Sequence, residues 1–261
     1  MLNTVRSCRG MVTAPHHLAS EAGLRVLRDG GNAIEATIAM AAALSVVYPH
    51  MTGIGGDGFW LVAGPGERPV GIEACGRAAR AATPEHYLAQ GYQTIPTRGP
   101  LAANTVAATM SGWEVALTLS AQRGGRLSLA RLLEDAIHHA HHGFPVTASQ
   151  ADLTLAKLHE LQRVPGFSET FLIDGKVPAT GALISCRRLP RLFGRSPAAV
   201  RTTSIAASFQ RRSPPTCARP ARCLMRMTLP AARRVWSIHC PSISLAAVST
   251  ISPHRHRACR R

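Results

Sequence analysis

After Asp174 the sequence contains no aspartate or glutamate, and after residue 186 it contains no lysine and a single glycine, Gly194. Residues 187–261 therefore cannot balance their own charge. They hold sixteen of the thirty basic residues, every one an arginine, whereas residues 1–186 hold fourteen bases against fourteen acids. The formal net charge of +16 belongs to the last part of the chain alone. That part also lacks sustained helical or strand periodicity, and its eight prolines interrupt every candidate element. No C-x-x-C pair occurs among the seven cysteines, so the paired-thiolate spacing of a zinc site is missing. The opening MLNTVRSCR lacks a charged-then-apolar leader, and a reducing, cytoplasmic setting is expected. No apolar run reaches the roughly 20 residues needed to cross a bilayer, so no membrane partner is expected.

What is present is organised around residues 30–62. Gly30-Gly31-Asn32-Ala33 leads into AIEATIAMAAALSVV at Ala33–Val47. Alanine supplies helix propensity and leaves no bulky side chain, which predicts a buried helix that neighbours approach closely and that Pro49 stops. Gly53, Gly55 and Gly58 then satisfy G-x-G-x-x-G. In a dinucleotide-binding unit those glycines follow a strand and open a helix. Here a helix comes first and the strand-like FWLVA at 59–63 comes after, so the glycines are read as a tight turn with positive φ and close backbone approach.

These residues, together with Gly10-Met11-Val12, the HHLAS run at 16–20, Ala22-Gly23, Leu27, Val46-Val47 and Pro49, resemble the amino-terminal part of the γ-glutamyltransferase family. The resemblance runs from Gly10 to Gly181. Two positions depart from the family pattern: Glu35 stands where aspartate is usual, and Asp57 where glycine is common. The fold class implied is α/β (α+β layered), as the large-subunit portion of the αββα sandwich of N-terminal-nucleophile hydrolases. Residues 1–186 are accordingly read as a large-subunit fragment.

Local patterns in that portion agree with a layered domain. Leu18, Ala22 and Val26 share a helix face, with Gly30 placed to end it. Residues 59–63 and Val70–Ala74 flank GPGERP and read as a hairpin. Val106, Met110, Trp113 and Leu117 form a helical stripe ending at Gly124-Gly125. Ser128 caps a further helix through Ile137, closed by Gly143, and residues 152–161 read as another amphipathic helix.

Two constellations bear on chemistry. His138 and His142 lie four residues apart, a spacing that binds zinc when an acid joins, but they sit in a last helical turn, where histidine suits the helix dipole and its free carbonyls. No metal is assigned. The second constellation is EACGRAARAAT at 73–83. The resemblance implies that this strand end carries an arginine gripping the substrate's α-carboxylate, the bidentate contact a guanidinium makes best. Its counterpart here is Cys75, so Arg77 is the first candidate for substrate binding and Arg98 the second.

The mechanism implied is attack on an amide carbonyl by a threonine freed by self-cleavage at the start of a small subunit, with its own α-amine as base and no cofactor. That threonine is not found, and Thr202 and Thr203 match no motif. No residue of the chain is therefore assigned as catalytic. The small subunit is the partner expected but missing. Residues 187–261 are read as an out-of-frame, disordered end, because evolved segments agree locally with some structure. The expected function is that of a γ-glutamyltransferase-like fragment, inactive alone, whose intact form acts on γ-glutamyl amides such as glutathione. One alternative is a related amidohydrolase or acylase with another acyl amide as substrate. The other is a non-enzymatic module binding nucleic acid through the arginine-rich arm, which has few aromatics on which bases would stack.

Overall fold

The computed structural model describes residues 6–186. The arginine-rich stretch, with its four cysteines and Thr202 and Thr203, lies outside the described residues.

Helix α1 (His17–Arg28) buries Ala19, Ala22, Gly23 and Val26, the spacing of a single helix face. Gly30, at φ +84°, ends it: the Gly30 N–H donates to Leu27 O and the Gly31 N–H to Val26 O, the paired bonds of a Schellman cap. Helix α2 (Ala33–Val47) follows at once, started by a reciprocal cap. Asn32 Oδ1 accepts from the Ile34 and Glu35 N–H groups, and Glu35 Oε2 accepts from the Asn32 N–H at 2.9 Å. Ten of its fifteen residues are buried. The low side-chain bulk does what composition implies. A Cβ on Gly23 of α1 would lie 2.6 Å from Met40 Cγ of α2, so the two helices already touch there.

Strands β1 (Gly58–Val62) and β2 (Val70–Ala74) pair antiparallel, with Trp60 opposite Ile72. A short helix α3 (Pro84–Leu88) and a 3-10 turn at Pro100–Ala102 follow. Helix α4 (Thr109–Gln122) and helix α5 (Leu129–His142) close the core. α1, α4 and α5 all pack on α2, and the hairpin packs on α4. Phe144 in β3 (Phe144–Pro145), which pairs with β4 (Leu183–Ile184), joins Ile38, Val46, Trp113, Leu132 and Leu133 in that core. Helices α6 (Ala148–Leu161) and α7 (Phe167–Phe171) lie between β3 and β4 in sequence. The result is a helix layer with a hairpin beside it, the mixed α/β architecture expected.

Three expectations need correction. Val106 is not on the α4 stripe: its N–H donates to Arg77 O at 2.9 Å in an extended segment, and the helix begins at Thr109. α6 begins at Ala148, four residues before the periodicity does, because Thr147 caps it through the Gln150 N–H. None of Gly53, Gly55, Gly56 and Gly58 has positive φ, and a Cβ on Gly53 or Gly56 would meet open space. The turn they form acts through its carbonyls instead. Gly56 O accepts from the Ala108 N–H, the Thr109 N–H and Thr109 Oγ1. It thereby caps α4, whose own N-cap residue Ala108 offers no side-chain acceptor.

Candidate functional site

The end of β2 is held from both sides. Asp57 Oδ1 accepts from the Gly76 N–H at 3.0 Å, and Asp57 Oδ2 accepts from Cys75 Sγ at 3.5 Å. Opposite, the Ala79 N–H donates to Asn104 O and the Val106 N–H to Arg77 O, with Ala78 bridged to Thr105. Gly76 is required at this crossing, since a Cβ there would sit 1.6 Å from Val106 O. The clamp fixes the main chain at residues 75–79 and leaves the Arg77 side chain exposed. Local desolvation, then the hydrogen bond and charge of Asp57, push the Cys75 thiol above its usual range, so Cys75 stays a protonated donor to the carboxylate.

Asp57 also lines a groove of about 360 Å³ between α2, β1 and α4, with Asn32, Thr37, Trp60, Thr109 and Arg123 on its walls. Asn32 is anchored behind it by Ser120, and Glu35 Oε1 accepts from the Leu127 N–H at 2.9 Å. A Cβ on Gly125 would fall 2.0 Å from Ser120 Oγ and 2.7 Å from Glu35 Oε1, so the wall closes only with glycine there. Glu35, the first departure from the family pattern, is thus a buried structural carboxylate tying the start of α2 to the approach to α5. The N-x-x-E spacing from Asn32 to Glu35 is the signal that reveals its capping role from sequence.

Arg98 is placed elsewhere. Its Nε donates to Glu160 Oε1 of α6 at 2.8 Å, and Lys157 engages the other oxygen, so this arginine is part of a surface charge cluster. Among the described residues, its ion pair is with Glu160 alone, and it does not line the groove. His138 and His142 lie with ring centroids 4.6 Å apart and planes tilted by 37° on the exposed end of α5, and among the described residues no group of three potential ligands is arranged for a metal ion. Among the described residues no helix is long and apolar enough to cross a membrane.

Residues 19–195 match the gamma-glutamyltranspeptidase family. The chain is 54% identical over 189 residues to the oxamate amidohydrolase proenzyme of Klebsiella pneumoniae, covering 72% of this chain and 35% of that protein. It is 41% identical over 182 residues to a glutathione hydrolase-like proenzyme of Bacillus subtilis, covering 69% and 34%. It therefore spans about a third of the length of these curated relatives. Among solved structures, Helicobacter pylori gamma-glutamyltranspeptidase superposes with a TM-score of 0.66 at 26% identity over 74% of this chain and 55% of that one. The described residues form part of the α/β fold of these N-terminal-nucleophile hydrolases. On the extent of the match and the identity to these relatives, the chain belongs to the gamma-glutamyltranspeptidase family.

Proposed function

We propose that the intact protein is an amidohydrolase of this family acting on a small acyl amide of the oxamate type rather than on a γ-glutamyl donor. The observation that carries the reading is the Asp57–Cys75 contact. Where the resemblance implies a guanidinium for an amino acid's α-carboxylate, this chain has a neutral thiol held against a carboxylate. A site so built does not supply the bidentate grip that a γ-glutamyl head group needs. The higher identity to a protein named for oxamate hydrolysis supports the same choice. Arg77, two residues on and exposed, is assigned to the carboxylate of the smaller substrate. Arg98, held by Glu160, is not.

The chemistry proposed is acyl transfer to a threonine hydroxyl. The hydroxyl oxygen attacks the amide carbonyl while the threonine α-amine takes its proton. The carbon–nitrogen bond breaks, the amine leaves with that proton, and water hydrolyses the ester. Residues 1–186 would supply the large-subunit share of the site, in a cytoplasmic enzyme, to a small subunit carrying the threonine. The acid-free stretch beyond the family match, after residue 195, is proposed to be an out-of-frame extension.

The coding DNA after the Cys186 codon tests the last point: another frame should restore acids and lead to a threonine-initiated segment. The 261-residue chain itself should neither self-cleave nor release ammonia from oxamate. The protein with its frame restored should release ammonia from oxamate faster than it cleaves a γ-glutamyl anilide, and Arg77→Ala should raise its KM on the order of tenfold, the usual loss for a charge-assisted hydrogen bond. A faster γ-glutamyl reaction would overturn the assignment.

A further inference from the structure

Away from the groove, the last turns of α5 carry a pair of rings that neither the core nor the proposed reaction uses. His138 and His142 are both exposed, four residues apart on one helix face, with ring centroids 4.6 Å apart. His139 is turned away from them. Its ring stands at 78° to that of His138, and it is half-buried beside the Arg25–Asp135 ion pair that joins α1 to α5. The helix dipole favours a single protonated histidine in this last turn, but two imidazolium rings at such a spacing repel each other. A neutral pair sharing one bound cation keeps the benefit of the dipole without that repulsion.

We propose that His138 and His142 chelate one divalent first-row metal ion of the nickel or copper type, with water completing its shell. A metal–nitrogen bond of about 2.1 Å places the centroid of a coordinated imidazole about 3.2 Å from the ion. Two such rings bound at a right angle then have centroids about 4.5 Å apart, and at the tetrahedral angle about 5.2 Å. The observed 4.6 Å matches the right-angle pair, which is the tetragonal geometry of Cu2+ and Ni2+ with mixed nitrogen and oxygen ligands. No third side chain among the described residues is arranged with the two rings, so the oxygens are those of water on this exposed face. The surroundings suit a cation. His142 is the last residue of α5, at the negative end of the helix dipole. Glu134, one turn before His138 on the same face, lines a shallow cavity of about 490 Å³ with it and adds a negative charge there, shared with Arg131 Nη1 at 3.1 Å. The bound ion clasps the final turn of α5, which leads through Gly143 directly to the core residue Phe144.

The test titrates the full chain with Ni2+ alone. Tm should rise with added Ni2+, because only the folded helix holds both rings in register. In His138→Gln and in His142→Gln the apparent affinity read from that rise should fall at least tenfold. Both positions are exposed and glutamine suits a helix, so each variant should fold as the wild type does. In the wild-type chain labelled with 15N-histidine, substoichiometric Ni2+ should broaden the His138 and His142 ring signals together, ahead of those of the remaining histidines. No rise in Tm, a rise that either variant keeps in full, or broadening of one of the two rings without the other would each sink the proposal.

Discussion

Helix α2 and the β1–β2 hairpin are neighbours of opposite character. α2 has two thirds of its residues buried and its start tied by Asn32 and Glu35 to α4 and the approach to α5. In β1 no residue is fully buried, and Phe59 and Leu61 are 71% and 47% exposed. The helix is finished by contacts this portion makes with itself, whereas the hairpin presents an apolar face and a groove still open on one side. In a protein that spans about a third of its relatives' length, stability is drawn from the first region and the candidate chemistry sits on the second.

The sharpest way to break that comparison is Glu35→Ala. It removes a buried carboxylate and strands the half-buried Asn32 and Leu127 N–H groups, and should cost about 2–3 kcal/mol in urea unfolding, while Phe59→Ser should stay within about 0.5 kcal/mol. Equal losses would show that the hairpin is as much a part of the core as α2.

Acid should act on the first region. His16 titrates near 4 when folded and near 6.5 when unfolded, so below 6.5 the unfolded chain takes up the proton first. Stability from this group is complete above pH 6.5 and is lost as pH falls toward 4, by about 3 kcal/mol in all. His17, His139 and His50 surround it, and His50 and His139 are themselves lowered, chiefly by burial, which steepens the loss in the same window. Denaturation midpoints should hold from pH 7.5 to about 6.5 and then decline down to pH 4.5. In His16→Asn, which keeps a capping oxygen, the slope should flatten.

Within the second region the glycines should separate by surroundings. Gly76→Ala drives a Cβ into Val106 O and should cost about 1–3 kcal/mol, whereas Gly53→Ala, with open space and ordinary φ, should be neutral or stabilise by about 0.5 kcal/mol. Thermal melts of the two variants give the answer directly. Smallest of all is Arg98→Ala, which should leave Tm unchanged within error. The Glu160 carboxyl, held low by Lys157 first and Arg98 second, should move part of the way back up, as a carboxyl-carbon NMR titration would show.

Elements that depend on neighbours in sequence were legible from sequence. The bounds of α2, the Gly30 stop, the presence of the hairpin and the Ser128 cap all rest on propensity, spacing and local caps. What escaped depends on partners far along the chain. Val106 carries a helix-like apolar spacing, but its N–H is taken by Arg77, twenty-nine positions earlier. The glycine turn announces flexibility, yet its contribution is a carbonyl aimed at α4. Of the candidate site, Cys75 and Asp57 were visible only as two separate departures from a pattern. That they touch follows from the strand pairing that brings Gly58 opposite Ala74.

The bond from Thr109 Oγ1 to Gly56 O joins positions fifty-three apart, and it brings the two ends of residues 57–108 together at the start of α4, while Trp60 and Ile72 from inside that span pack into the core. Such an insert is topologically a cassette. Lengthening or shortening its exposed loops changes loop-closure entropy only slowly, by about 0.6 kcal/mol for each doubling, and leaves the core contacts of Trp60 and Ile72 in place. Changes in its exposed loops therefore reshape the rim of the candidate site while the packing of α1 and α5 on α2 stays as it is.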